Sequence, residues 1–386
     1  MKKVKNGKIK ILYTIPNFNT AGSGKALINV ISRIDKNIFE PCICCRHERG
    51  ELFNTAKALN IPIYISEFSA PMKPRLKGME SVIKLSGFFK KIGPDIIHSY
   101  NYSDDYSEGL AAKLSGIKWI YTKKNMGWGS NAWRIRTKLA NAIIPQNQEM
   151  VNVFFNNIEK YSLIPIGIDL NEFTELKKDE ELEAKYELKN AYPVILTIAN
   201  IIPIKGIDFL IKGFNLIHDD FENPKLLIVG EDKTEYADNL KNKVKEMGMD
   251  NRIIFTGKQN NIKSFFSIAD IFILSSMKTG EGGPISVLEA MASGVISYGS
   301  NVPGIRDQFR EFQDQLFESE NPGSIANKIL HFSKMSMEER KIRKARQLEF
   351  VRNNYSIENE IKRLQQLYIK VYSAEKNINL SFEESF

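Results

Sequence analysis

Eleven short runs of β-branched and other apolar residues recur along this chain, and longer stretches of helical period separate them. In the first half the runs lie at 8–15, 41–46, 62–66, 95–99, 117–122 and 141–145. In the second they lie at 194–199, 225–230, 252–257, 270–276 and 294–299. Parallel strands cannot be joined by a tight turn and need a crossover, usually a helix, so this alternation predicts doubly wound parallel sheets. The 386 residues suffice for two such domains. Between the halves, "IPIGIDLNEFTELKKDEELEAKYELKN" passes from a Pro/Gly turn into a charged, weakly apolar helix, a composition suited to a linker. The expected division is 1–168, 169–355 and a helical segment 356–386. Two α/β domains in tandem are expected to face each other across a cleft lined by strand ends and helix N-termini.

Charge is informative once divided. Residues 1–150 hold 24 Lys and Arg against 11 Asp and Glu, whereas the other 236 hold 30 against 35. A basic first half points to an anionic partner, either nucleic acid or the headgroups of a membrane. No recognition module for nucleic acid is evident, which makes that partner the weaker candidate. The stretch "PMKPRLKGMESVIKLSGFFKKIGP" (71–94) mixes Lys73, Arg75, Lys77, Lys84, Lys90 and Lys91 with Leu76, Val82, Ile83, Leu85, Phe88 and Phe89. It reads equally well as a helix lying on an anionic membrane and as one packing on the first sheet. No run of about 18 apolar residues appears, so no spanning helix is expected. The basic start "MKKVKNGKIKILYTI" lacks a small-residue cleavage site and is read as a first strand, giving a cytoplasmic expectation. Cys42, Cys44, Cys45 and His47 have the residue types of a metal site. In a strand, however, alternate side chains face opposite ways, and buried free thiols are the favoured reading.

"NTAGSGKAL" (19–27) follows the first strand and precedes a helical pattern, with Gly22, Ser23 and Gly24 forming a small-residue turn. A P-loop needs a glycine where Asn19 stands and a Ser or Thr where Ala26 stands, which argues against an ATPase. A phosphate belonging to some other ligand remains open.

The richest segment is "SSMKTGEGGPISVLEAMASGVISYG" (275–299). A strand ends, a loop carries Gly280, Gly282 and Gly283, and a helix is expected from Pro284, which suits a first helical position. The N–H groups of Ile285 and Ser286, with the helix dipole, form an anion site. Ser286, Glu289 and Ser293 share a narrow polar stripe on an otherwise apolar helix. Glu281 at its mouth and Glu289 two turns on would flank a diphosphate with groups able to hold hydroxyls. That is the shape of a nucleotide sugar. In "ANIIPIKGIDFLI" (199–211), Lys205 would stand before a helix that opens at Gly206, a point charge for phosphate.

These residues resemble the retaining glycosyltransferases of family 4, which have the GT-B fold. The likeness runs from "NTAGSGKAL" through "IPIGIDLNEF" and "VILTIANIIPIKGIDFLI" to "GEGGPISVLEAMASG" and "SNVPGIRD". The resemblance implies two Rossmann-like domains, with the C-terminal helix returning to the first and the donor bound mainly by the second. Glu281 would contact the donor sugar and Glu289 the ribose. Lys205 would neutralise the diphosphate, with Gly282, Gly283, Pro284, Ile285 and Ser286 around it and Gly22–Gly24 closing over it. Gly257 and Lys258 would lie beside the base, taken as uracil. No metal would be required, and Asp104–Asp105 and Asp219–Asp220 are accordingly read as surface charges.

Three departures from the family pattern stand out. Asn200 replaces a common Arg, and Ser23 replaces a second consecutive glycine. Lys123, Lys124 and Asn125 follow the fifth strand where a His is common, so Lys124 or Asn125 becomes an acceptor-side candidate. His98 ends the fourth strand, where it either faces the cleft or is a satisfied interior histidine. The implied reaction is retaining transfer to a saccharide or lipid-linked acceptor in bacterial surface polysaccharide synthesis, on or near the inner membrane face. A nucleotide-sugar epimerase and a catalytically silent partner subunit are the alternatives.

Overall fold

The computed structural model describes residues 7–19 and 21–374, apart from the side chain of Ala21. The basic residues 1–6 and the last part, 375–386, of the expected C-terminal segment lie outside the described residues. The chain divides into two units. Unit 1 holds the chain to Gln146, then Met150–Ile166, and the C-terminal segment from Ile357; unit 2 holds Asn147–Glu149 and Gly167–Ser356.

In unit 1 the strands are β1 (Ile9–Ile15), β2 (Phe39–Cys45), β3 (Ile63–Ile65), β4 (Ile96–Ser99), β5 (Lys118–Lys123) and β6 (Ala142–Pro145). All are parallel, in the order β3-β2-β1-β4-β5-β6. Side chains alternate across the sheet. Ile11, Tyr13 and Ile15 pack on one face with the C-terminal helix Ile357–Ser373, which offers Ile357, Ile361, Leu364, Tyr368 and Val371 at helical spacing. Each such side chain contributes about 1.5–3 kcal/mol when taken from water. Leu12, Cys42 and Cys44 face the other way, against Val82, Leu85 and Phe89 of the helix Arg75–Ile92. All three cysteines are buried free thiols, and burial pushes the Cys42 thiol up to about 12 and that of Cys45 to about 11.

Unit 2 repeats the plan with β7 (Val194–Ile198), β8 (Lys225–Val229), β9 (Ile253–Gly257), β10 (Ile271–Leu274), β11 (Ile296–Ser300) and β12 (Leu316–Phe317), ordered β12-β11-β10-β7-β8-β9. The helices Pro322–Lys334 and Met337–Tyr355 complete it. Both sheets are α/β and doubly wound, and every expected run carries a strand. β12 had no counterpart among them.

Packing at the start of the Ser107–Leu114 helix is tight. A Cβ at Gly109 would sit 2.7 Å from the ring of Trp119, which is buried and has no room to move. Gly109→Ala is expected to destabilise unit 1 by about 1–3 kcal/mol, read as a lowered urea midpoint with an unchanged slope.

Candidate active site

In unit 2 the strand order reverses between β7 and β10, and loops leaving the carboxyl ends of two such strands diverge to open a crevice. The β7 loop makes a 3-10 turn at Pro203–Lys205, then passes through Gly206 into the helix Ile207–Asn215. The β10 loop runs from Ser275 to Pro284, ahead of the helix Ile285–Ala292. The two loops are fastened to each other. Met277 N–H donates to the Ile204 carbonyl at 2.9 Å, and Ser275 Oγ to the Lys205 carbonyl at 3.0 Å. Gly206 sits at φ +60°, where a Cβ would be only 2.2 Å from the Ser275 oxygen. A glycine is required there by both conformation and space.

This fastening brings together two of the residues singled out in the sequence. Lys205 Nζ lies 2.5 Å from Glu281 Oε1, and Ser276 Oγ donates to the same oxygen at 2.5 Å. The two charged side chains keep only 18% and 14% of their exposure, so solvent screens their attraction weakly. The Glu281 backbone is equally constrained. Its N–H donates to the Pro303 carbonyl at 2.9 Å. Asn147 Nδ2 donates to the carbonyls of Glu281 (3.0 Å) and Gly282 (2.8 Å), and Gln308 Nε2 to that of Pro284 (2.9 Å). The carboxylate is therefore presented from fixed backbone rather than from a free loop. Asn147, Ser276 and Gln308 were not singled out in the sequence, where each is a solitary polar residue in no local pattern.

The Ile285–Ala292 helix buries Val287, Leu288, Ala290 and Met291, and Glu289 retains only 5% exposure. It starts one residue later than expected: Pro284, at ψ 120°, is still extended and caps the helix, and Ile285 is its first residue. The N–H groups of Ile285 and Ser286 lie in a first turn, which has no helical acceptor to offer them. Asn200 is exposed beyond β7, its carbonyl engaged by Ile202 N–H at 2.9 Å. Gly257 closes β9 at φ +73° beside the Asp232 carboxylate, and Lys258 next to it is exposed. Gly22, Ser23 and Gly24 belong to unit 1, and there the expected turn is corrected. A helix, Ala21–Arg33, has already begun, so all three lie in its first turn. Gly24 is small because a Cβ would crowd Leu52 Cδ1 (3.0 Å) and the Phe18 ring (3.4 Å).

The sequence matches the family profile described as Glycosyltransferase Family 4 over residues 20–172 and that of Glycosyl transferases group 1 over 178–348, together most of the chain. The chain belongs to glycosyltransferase family 4. Among curated relatives, it is 23% identical over 351 residues to the UDP-Gal:alpha-D-GlcNAc-diphosphoundecaprenol alpha-1,3-galactosyltransferase of Escherichia coli, covering 85% of this chain and 89% of that one. A glycosyltransferase structure from Rickettsia africae superposes with a TM-score of 0.83 at 20% identity, over 96% of this chain and all of that one. Anabaena HepE, solved with UDP and glucose, gives a TM-score of 0.79 at 15% identity over 93% and 98%. The fold is GT-B.

The acceptor-side candidates of the glycosyltransferase lie in unit 1, at the carboxyl ends of β4 and β5. His98 is interior: fully buried, with Nδ1 2.6 Å from the Tyr368 hydroxyl and Nε2 2.8 Å from Thr122 Oγ1. It faces no surface, which settles between the two sequence readings in favour of the satisfied histidine. Asn125 is exposed and clamps a different lysine, since Lys123 Nζ donates to its backbone oxygen and, at 2.7 Å, to its Oδ1. The Lys124 amine lies buried 4.0 Å over the Tyr100 ring, and burial lowers it to about 7 against the opposing charge of Glu360.

Asp105 is likewise not a plain surface charge. Half-buried, its carboxylate accepts from Ser107 N–H at 3.0 Å and Ser107 Oγ at 2.5 Å, heading the Ser107–Leu114 helix. Behind it, the fully buried Glu108 accepts from Thr14 (2.5 Å) and Ser99 (2.6 Å), while Arg136 donates to the Asp105 carbonyl at 2.6 Å. Asp219 and Asp220 are exposed, as expected.

Burial, and to a lesser degree the Lys124 charge, lowers the His98 imidazole from 6.5 to about 3. Between those values the unfolded chain binds a proton that the folded chain refuses, so stability is intact above pH 6.5 and is lost as pH falls. The contribution is roughly 1.4 kcal/mol for each pH unit through that window. His98→Gln should flatten the acid limb of stability against pH relative to the wild-type chain, as measured by urea unfolding between pH 6 and pH 4.

Proposed function

We propose that this glycosyltransferase moves a sugar from a nucleotide-diphosphate donor, a UDP-sugar, to a saccharide or lipid-linked acceptor with retention of anomeric configuration. The observation that carries the reading is the convergence of Lys205 and Glu281 at the β7–β10 reversal, ahead of the Ile285–Ala292 helix. An ammonium has three donors, and Glu281 takes one. The others remain for a diphosphate that also meets the N–H groups of Ile285 and Ser286. As the bond from the anomeric carbon to phosphate breaks, its electron pair goes to the diphosphate, whose growing charge these groups stabilise. The acceptor hydroxyl oxygen forms the new bond on the same face, and its proton leaves with the diphosphate. Glu281 holds the sugar hydroxyls and Glu289 the ribose. The E. coli relative, whose name specifies UDP-Gal and a diphosphoundecaprenol-linked sugar, supports a uridine donor and a lipid-linked acceptor.

Cationic side chains and a helix end do here the work a divalent metal does elsewhere, so no metal cofactor is required. Turnover is expected to survive dialysis against EDTA unchanged. Lys205→Ala and Glu281→Ala should each lower turnover about 10²–10³-fold. In a thermal-shift panel of nucleotide sugars, a UDP-sugar at 100 times its Kd should stabilise the wild-type chain by about 2.7 kcal/mol. Near-normal turnover in both variants would sink the site. Isomerised sugar from donor alone would replace transfer by epimerisation.

A further inference from the structure

The Arg75–Ile92 helix has a second face that the sheet does not use. Val82, Leu85, Phe89 and Ile92 pack inward, whereas Leu76 is 88% exposed, Met79 41% and Ile83 63%. These three stand at i, i+3 and i+7, so they form one stripe along the helix. A single exposed leucine is ordinary, but three large apolar side chains aligned on one exposed face mark an interaction surface. Cations surround the stripe. Residues 71–92 carry Lys73, Arg75, Lys77, Lys84, Lys90 and Lys91, all exposed, against the single acid Glu80, which pairs with Lys84 at 2.6 Å.

The chemistry of that face selects its partner. Single-stranded nucleic acid would engage the cations but wants aromatic platforms for its bases, and this stripe is aliphatic. An anionic bilayer satisfies both components at once, because aliphatic side chains reach the acyl boundary while ammonium and guanidinium groups meet lipid phosphates. We propose that the Arg75–Ile92 helix is a membrane-docking element that lies flat on an anionic bilayer, inserting Leu76, Met79 and Ile83 and setting Lys73, Arg75 and Lys77 on the phosphates. The same helix walls a cavity of about 730 Å³ with Ser81, Lys84 and Phe88, opposite Arg46, Ser103 and Asp105. The docking surface stands on the helix alone and does not depend on sugar transfer.

The test is sedimentation of the full chain with phosphatidylcholine vesicles, with or without phosphatidylglycerol. The protein should pellet with the anionic vesicles only, and added salt should release it. Lys73→Gln and Lys77→Gln should each weaken binding about fivefold. Leu76→Ser with Ile83→Ser should weaken it further at unchanged melting temperature, since both side chains are already in water. Should the serine pair fail to fold, the glutamine variants decide the matter alone. Equal pelleting with both vesicle types, no pelleting at low salt, or variants that bind like wild type would overturn the proposal. So would a concentration-dependent dimer abolished by Leu76→Ser, or tighter retention on single-stranded RNA than on vesicles. An unaltered thermal shift with a UDP-sugar in these variants keeps the donor reading separate from this outcome.

Discussion

Parallel strands leave all their loops at two opposite rims, and where the winding reverses, two neighbouring loops must part. In unit 2 that parting falls between β7 and β10. It is held to a narrow width by backbone packed on backbone, with Gly206 against the Ser275 oxygen, while Gly304, in the loop after β11, packs against the oxygen of Glu281. The ion pair of Lys205 and Glu281 is a consequence of that width. A methyl group at Gly206 would widen the gap and one at Gly304 would push on the Glu281 backbone, and either would cost the ammonium and carboxylate their common position. The proposed chemistry therefore depends on the reversal of winding and on the glycines that let the loops approach.

A second consequence concerns how charge is managed. Lys205 and Glu281 are mostly withdrawn from water yet satisfy one another, so neither charge is left unpaired. Unit 1 buries charge differently. Glu108 and Arg136 lie wholly inside, near the reversal between β1 and β4, where hydroxyls and carbonyls rather than a direct ion pair take up their hydrogen bonds. They anchor the loop after β4. Two sheets of the same winding thus settle the charges at their reversal points differently.

Much of this was legible in the residues. The strands were, because runs such as "VILTIA" and "DIFILSS" are short, β-branched and flanked by turns. β12 escaped because two residues make no pattern. Lys205 and Glu281 could be found because each sits beside a glycine in a loop that opens a helix. Asn147, Ser276 and Gln308 could not, since their partners are defined only by the folded backbone. His98 was ambiguous for the same reason: the hydroxyl that fills its Nδ1 belongs to Tyr368, 270 positions along the chain. The turn expected at Gly22–Gly24 proved to be the start of a helix, because a glycine wanted for close packing, as Gly24 is, looks the same in sequence as one wanted for a turn.

The helix Ile357–Ser373 belongs to unit 1, although the whole of unit 2 is synthesised before it. Until that helix leaves the ribosome, the face of β1 that carries Ile11, Tyr13 and Ile15 has only part of its cover, from the Ala21–Arg33 helix, and the His98 imidazole lacks its tyrosine. Unit 1 is thus begun before unit 2 and finished after it. A chain cut short before this helix would hold one completed sheet and one whose apolar flank is partly uncovered, and the cut would do its damage far back along the sequence, at β1.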